Sequence, residues 1–573
     1  MPRPRAEAHG ILRPEHHGED SRPRGRFSSS LRTVVRDPWL FGMFVVLTIP
    51  IIVFAIVPIL SVLRQAVWGD NGLALAALGQ TLLEPFVWRA LGNTLLLGLT
   101  SAVLATVFGF ALAFAVSRTG MRGKPFIHTV ALLPVISPPF VMALAVVMLF
   151  GRQGIISHGL LEIRGSNVYG FRSLVLIQVL AFTPIAYLNI KGMLQSLNSA
   201  LDDASASLGG TQWMTFWRIT LPLATPAILS SMLLVFVKSI EDFGNPMVIG
   251  GNFNTLSVEA YSHMMGYFDL RTGAVLASLL LLPSALAFMV HRYWVAKRSY
   301  VTVTGKPSAQ TIRLRSRRVV WPLTAVCYAL VGTIIVFYGT VVAVSFMRLP
   351  GADSSWTSAH YVTAFTAGFE TLRNSLLLAS LATPVTAVGG MLIAFLLIRR
   401  SFPGAFLLRW GTLLSFAAPG TIMGIGYISA FNAPPLVLTG TAFLIITAMV
   451  VKNLQVGIEA GSNQLKQIDR SIEEASTALG ASNTRTFLQV TLPLLRPALF
   501  TSLAYAFTRS LTTLSAVIFL VSAQWTLITV TILSHVETLK LGLAAAYCVI
   551  LIVVVVLVLV VMQSALAFSA RRK

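Results

Sequence analysis

The sequence predicts an all-α integral membrane protein of about twelve transmembrane helices, arranged as two parallel, pseudo-symmetric halves of six. Three observations carry this. The chain of 573 residues is 55% hydrophobic and only 11% charged, with a mean hydropathy of +0.76, whereas soluble domains carry about 25% charged residues. It contains twelve apolar runs, each close to the roughly 20 residues that cross a bilayer. Phrases of the first half recur in the second at fixed offsets, as an internal duplication requires.

Residues 1–37 are rich in Arg, Pro, His and Ser and contain no apolar stretch. They read as a disordered basic cytoplasmic tail, not as a secretory signal. Their EHHGED segment has the residue types of a metal site but no recurring ligand spacing. The first half (38–298) has apolar runs at 39–63, 93–116, 126–150, 173–195, 221–243 and 273–296. A basic cytoplasmic linker (299–318) follows. The second half (319–573) has runs at 319–346, 374–398, 405–430, 437–458, 493–520 and 541–568. Cys327 and Cys548 both lie in apolar runs, so neither a disulfide framework nor a cysteine metal site is expected.

Orientation follows from the bases. Arg22, Arg24, Arg26, Arg32 and Arg36 precede the first run and should stay in the cytoplasm. Counting crossings then puts Arg118, Arg122 and Lys124, the linker, and terminal Arg571, Arg572 and Lys573 inside as well. Both termini are expected in the cytoplasm. From Ser239 to Leu270, and again from Ser510 to Leu539, there is no Lys or Arg, which suits outer loops. The net charge of +22 is explained by this membrane pattern, so no nucleic-acid partner is expected.

The repeat is visible in detail. NTLLLGLTSAVLATVFGFALAFAVSR from Asn93 is answered by NSLLLASLATPVTAVGGMLIAFLLIRR from Asn374, 281 residues on. Gly109 then matches Gly390, Arg118 matches Arg399, and Pro138 matches Pro419. Further along, DDASASLG (Asp202 to Gly209) is answered by EEASTALG (Glu473 to Gly480) at an offset of 271. The first half therefore carries ten extra residues, assigned to GRQGIISHGLLEIRG. An even number of runs per half and a cytoplasmic join make the copies parallel.

Both acidic phrases fall on the cytoplasmic side between the fourth and fifth run of their half. Asp203 or Glu474 suits the positive N-terminal end of a short helix. Ala204 and Ser205, or Ala475 and Ser476, are small enough for another surface to approach. Gly209 or Gly480 suits the left-handed position that closes a helix, and Pro222 or Pro493 the first turn of the next run. Two short helices joined at a glycine are expected. An ordinary capped amphipathic loop would look similar once; recurrence in register argues for a shared task.

The phrases resemble the EAA loop of binding-protein-dependent ABC importer permeases: Glu-Ala-Ala, three residues, Gly, nine residues, Ile-x-Leu-Pro. Here the pattern reads Asp203-Ala204-Ser205, Gly209, Ile219, Leu221-Pro222, and again Glu474-Ala475-Ser476, Gly480, Val490, Leu492-Pro493. Asp for Glu, Ser for Ala and Val for Ile are the departures. The resemblance covers roughly residues 90–300 and 370–573. It implies a fused two-half permease in a bacterial inner membrane. Its loops would dock into two copies of a cytoplasmic ABC ATPase, and a periplasmic or extracellular binding protein would deliver cargo. The chain has no G-x-x-x-x-G-K-[ST] sequence, so ATP and Mg are expected in the partner ATPase, with no cofactor and no catalytic site in this chain.

A pathway is suggested by ionisable residues, which are rare within spans and usually face an interior. FVKSIEDFGNPMVIGG (Phe236 to Gly251) aligns with FTRSLTTLSAVIFLVS (Phe507 to Ser522). Lys238 thus matches Arg509, and Glu241 and Asp242 match Thr512 and Thr513. Lys238 lies roughly 25 Å along a helix from Leu221, so it alternatively snorkels to an interface. Pro134, Pro138 and Pro139 should break the third run, and Pro419 its partner, either as cavity lining or as plain kinks. EDFGNPMVIGG and its counterpart also resemble the ferric-iron branch of these permeases, so ferric iron is the expected cargo. Phosphonate, sugar phosphate, thiamine and polyamine are the alternatives. An ion-coupled secondary transporter would need carboxylates in mid-span, and a membrane enzyme a catalytic constellation. Scattered His128, His263, His291 and His535 supply neither such a constellation nor a metal site.

Overall fold

The computed structural model describes residues 38–69, 72–163, 165–197, 200–291, 293, 317–399 and 404–571. The basic tail, its EHHGED segment and the linker up to residue 316 lie outside them. Among the described residues, nine helices are long and apolar enough to cross a membrane: Phe41–Val67, Pro85–Arg118, Phe171–Ser196, Gln212–Ile240, Leu270–Val290, Arg317–Ser345, Phe369–Arg399, Ala442–Gln467 and Leu541–Ala565. Three bent helix pairs, taken as single spans, complete the twelve.

Two of the bent pairs are the breaks expected at the prolines, sharper than a kink, and the third corrects the eleventh run. The third run is not one helix: Lys124–Ile136 and Val141–Phe150 meet at 102°. Its counterpart bends by 113° between Ala405–Ala417 and Gly420–Phe431. Proline lacks the N–H that would continue the ladder, and Pro138, Pro139 and Pro419 sit in the breaks. The eleventh run stops at Thr512 instead of residue 520, because Thr513 turns to extended backbone. It is preceded by a 70° bend between Asn483–Leu494 and Arg496–Thr512. The first half has no such bend, and Gln212–Ile240 runs through as one helix. The ten extra residues fall where the sequence put them: residues 151–170 separate two helices that their counterparts join with only 432–441.

Each half has a three-helix core. Pro85–Arg118 packs on Phe171–Ser196 and Gln212–Ile240, and Phe369–Arg399 packs in the same way on Ala442–Gln467 and the helix ending at Thr512. The paired glycines explain the close approach. A Cβ on Gly109 would stand 2.6 Å from that of Ala186, and one on Gly390 would stand 2.8 Å from the Gly457 backbone. At the far end from the acidic loops, the same helices are clamped alike. Asn93 donates to the Asn254 carbonyl and Asn374 to the Gln524 carbonyl, each at 3.0 Å. The Thr94 and Ser375 hydroxyls accept from the Leu256 and Ile528 N–H groups at 2.9 and 2.8 Å. The repeated Asn-Thr/Ser pair thus ties down an equivalent loop in each half.

The outer spans are exchanged. Phe41–Val67 of the first half packs on Gly420–Phe431, the second arm of the other half's bent span. Tyr427 donates to the Phe54 carbonyl at 2.7 Å, and Gly426 lies against the Pro58 backbone. Reciprocally, Arg317–Ser345 packs on Val141–Phe150, with the Tyr338 and Ser137 hydroxyls 2.5 Å apart.

Candidate functional site

The acidic loops fold alike. Ala200–Ser207 is a short helix with Asp202 and Asp203 in its first turn. Ser471–Ala478 is its counterpart, with Glu473 and Glu474. Gly209 and Gly480 close them at φ +79° and +83°, in the left-handed region that an L side chain enters at a cost of about 1–2 kcal/mol. A second short helix then starts at a hydroxyl cap. Thr211 accepts from the Met214 N–H at 3.2 Å, and Ser482 from the Arg485 N–H at 3.3 Å. In each half a five-residue π-turn, Phe216–Thr220 or Phe487–Thr491, leads on to Leu-Pro. The second short helix therefore continues into the next span and does not stand free of it.

Two side-chain details lie beyond the sequence reading. Ser205 and Ser476 tie the loop together. Their hydroxyls bond those of Thr215 and Thr486 at 2.7 and 2.9 Å, holding the two short helices together. The acid that anchors the loop is also not the motif acid. Asp203 is exposed, and Glu474 is 68% exposed, with only Arg470 beside it at 3.4 Å. Their neighbours Asp202 and Glu473 make the buried contacts: Asp202 pairs with Arg118, and Glu473 accepts from Arg399 Nε at 3.0 Å. Arg399 also donates to the Ile468 carbonyl at 2.8 Å, and the Thr491 hydroxyl donates to Glu473 at 3.3 Å. Arg118 and Arg399 end the core helices Pro85–Arg118 and Phe369–Arg399, so each loop is fastened to the core of its half. The clue was present in sequence as a matched Arg and a doubled acid, but the partners are 84 and 74 residues apart.

What the loops leave outward is apolar. Leu208 and Leu479, equivalent in the repeat, are 88% and 90% exposed. Leu201 and Ile472, also equivalent, are exposed too, as are Ala204 and Ala475. Ile219, Val490, Leu221 and Leu492 are half-buried; Pro222 is exposed and Pro493 half-buried. Beyond the motif, Asp469 accepts from the Ser471 N–H at 2.9 Å, and this backbone bond holds its carboxyl below the usual carboxylate range.

A second constellation lies at the other end of the fifth and eleventh spans. Lys238 has partners within the protein. Its ammonium donates to Glu241 Oε2 at 2.8 Å and lies 5.2 Å from the centre of the Phe416 ring. Lys452 of the other half reaches Glu241 Oε1 at 3.8 Å and donates to the Ala418 carbonyl, at the break of the bent span, at 2.6 Å. Arg509 precedes Ser510, whose hydroxyl accepts at 3.4 Å from Asn453 Nδ2, next in the chain to Lys452. Asp242 is turned elsewhere: it accepts from Gln178 Nε2 at 3.0 Å and from Asn245 Nδ2 at 2.8 Å. Thr512 is buried and bonds the Thr508 carbonyl at 2.9 Å, while the Thr513 carbonyl accepts from the Thr529 hydroxyl at 2.8 Å. Pro138 and Pro419 are buried in the two breaks. Lys238, Glu241 and Arg509 are thus neighbours around Lys452. Lys452 and Gln178 escaped the sequence reading because their repeat counterparts, Ala181 and Met449, are apolar. Among the described residues, no three His, Cys, Asp or Glu side chains converge on a metal position.

Comparison with known proteins agrees with this construction. The sequence model of the family described as binding-protein-dependent transport system inner membrane component matches twice, over residues 105–300 and 374–572. The chain is 33% identical over 529 residues to the ferric transport system permease protein FbpB of Actinobacillus pleuropneumoniae, covering 91% of this chain and 77% of that protein. A putative ferric transport system permease protein FbpB 1 of Haemophilus influenzae is also 33% identical, over 506 residues, covering 87% and 80%. The sulfate transport system permease protein CysW of Synechococcus elongatus is 30% identical over 164 residues, covering 29% and 57%.

Proposed function

This chain belongs to the family of binding-protein-dependent transport system inner membrane components, and from that premise we propose that it carries ferric iron inward, driven by two ATPase subunits docked on its two acidic loops. It is a multi-pass ABC importer permease with both halves fused in one chain, which displaces the secondary-transporter and enzyme readings. The observation that carries the docking proposal is the pair of fastened loops. Each presents a bare leucine, Leu208 or Leu479, beside an exposed acid, Asp203 or Glu474. Exposed apolar side chains on a polar loop suit burial in a partner's cleft. The fastening through Arg118 or Arg399 would transmit the partner's movement to a core helix. ATP and Mg belong to that partner, and an exported binding protein supplies the cargo. Basic residues place both termini in the cytoplasm. In this reading a basic cytoplasmic tail, 1–37, precedes the first half, 38–298, and a basic cytoplasmic linker, 299–318, joins it to the second, 319–573.

Lys238, Glu241, Asp242, Arg509, Thr512, Thr513, Pro138 and Pro419 are assigned to the translocation path. Support comes from the contact of Lys238 and Glu241 with Lys452 of the other half beside the Ala418 break, and from the general rule that ionisable groups inside a membrane face an interior route. Iron as cargo is supported by the two relatives of high coverage, both ferric permeases by name. The test is uptake of radiolabelled ferric iron under iron limitation in cells lacking this gene and any second iron system. Uptake should return with a plasmid copy and not with a Glu474→Lys copy. Normal uptake in the deleted cells would exclude iron, and full activity of Glu474→Lys at normal membrane levels would exclude the docking role.

A further inference from the structure

The wall around Lys452 has a charge imbalance. Lys238 and Lys452 bracket the two oxygens of one carboxylate, Glu241. Arg509 brings a third cation to this region: its chain neighbour Ser510 accepts at 3.4 Å from Asn453, the chain neighbour of Lys452, and Arg509 itself is half-buried. Among the described residues, no carboxylate stands within ion-pairing distance of Arg509. Asp242 faces its own ring of donors from Gln178 and Asn245. Even counting both acids as ionised, positive charge is in excess. A cation held away from bulk water without a partner is costly, and a bare trivalent cation would be repelled here, since like charges at short range and low dielectric interact by several kcal/mol. The chemistry that completes the group is an anion with several oxygen acceptors, which an arginine fork and two ammonium groups are built to bind.

We propose that Lys238, Lys452 and Arg509 form an anion-recognising site in the path, and that iron passes it as an anionic, oxygen-liganded complex. The second clause rests on the ferric reading above; the first does not. Glu241 then acts as an internal stand-in: it occupies the two lysines when the site is empty and competes with the incoming anion. This makes the expected signs opposite for neighbouring residues. Losing a cation weakens anion binding, whereas losing the Glu241 charge strengthens it. A merely structural ion pair would be damaged by either change.

The full chain, purified into lipid nanodiscs, is titrated by calorimetry with inorganic phosphate and, separately, with ferric citrate. Both should bind. Lys452→Met and Arg509→Met should each weaken binding by about tenfold or more, the worth of a charge-assisted contact, and Glu241→Gln should tighten it. Arg509→Met and Glu241→Gln keep the test open if Lys452→Met fails to fold. No binding of either probe by the unaltered chain, or weakening by Glu241→Gln, overturns the site. Phosphate binding without ferric citrate binding overturns the iron-complex clause alone. If deleted cells take up iron normally while purified chain binds phosphate with the expected signs, the cargo reading fails and the anion site stands.

Discussion

At the loop side, Arg118 on Asp202 and Arg399 on Glu473 give the two halves one geometry, down to the left-handed glycine and the π-turn that follows. Around Glu241 and Lys452, on the spans that flank the loops, the halves part company. Glu241 and Asp242 stand where the second half has Thr512 and Thr513, and Lys452 stands where the first half has Ala181. The contrast separates two demands. On the proposed function, two identical motors would need two equivalent docks, which would hold both copies of the loop to one shape. A single cargo would meet both halves at once, so the residues around it would need only to complement one another. The 70° bend before Arg496, absent from the straight Gln212–Ile240 helix, shows that the spans between these ends also diverge.

Experiments can press on that contrast, beginning with the largest effect. Arg399→Glu sets two carboxyl groups against each other in a buried contact, and losing such a pair costs about 3–5 kcal/mol. Binding-protein-stimulated ATP hydrolysis in proteoliposomes should fall by well over about tenfold. Arg118→Glu should match it, and combining Arg399→Glu with Glu473→Arg should restore much of the rate. Unequal losses from the two arginines would break the claim of equivalent docks.

Glu241→Thr with Asp242→Thr makes the far side of the first half resemble the second. Transport needs a site that binds yet releases, and without the competing carboxylate release should slow. Radiolabelled uptake is expected to drop by about tenfold, with the stimulated ATPase rate measured alongside. Unchanged uptake would mean that the far-side asymmetry is incidental.

Packing should behave symmetrically again. Gly109→Ala and Gly390→Ala each force a methyl into a neighbouring helix backbone or Cβ, an overpacking of about 1–3 kcal/mol. Both should lower the thermal midpoint of the purified protein by similar amounts. A large shift from only one would show that the cores differ more than their contacts suggest. The smallest effect is expected from Ser205→Ala and Ser476→Ala, which each remove one hydroxyl pair worth about 0.5–1.5 kcal/mol. Faster hydrogen exchange in Gln212–Thr215 and Asn483–Thr486, with uptake nearly intact, would fit a role confined to the loop.

Most of the architecture was legible because bilayer crossing and duplication both leave long-period signals. Twelve apolar runs, ten surplus residues and the left-handed Gly209 and Gly480 all follow from length, offset and spacing. The bends at Pro138 and Pro419 were half legible. Proline announces a break, but a membrane span tolerates it as a mild kink as readily as a turn past 100°. The true anchors of the loops, Asp202 and Glu473, were hidden beside the motif acids, since adjacent carboxylates look equivalent until a partner is placed. Lys452 was invisible for the opposite reason: reading by repeat rewards residues that recur, and a residue that matters through asymmetry has no echo. Exchange of the outer spans left no trace in the sequence, because any apolar run can cover any apolar face.

That exchange bears on how the molecule is made. Synthesis runs from the N-terminus, so the first half enters the bilayer before Arg317–Ser345 exists. The arm Val141–Phe150 then waits against lipid for a helix that is still inside the ribosome. Phe41–Val67, made earlier still, can pack on Leu270–Val290 of its own half but waits longer for Gly420–Phe431. Neither half can finish as a module by itself, and a chain truncated after its sixth span is a half-built wall, exposed to whatever quality control patrols the membrane.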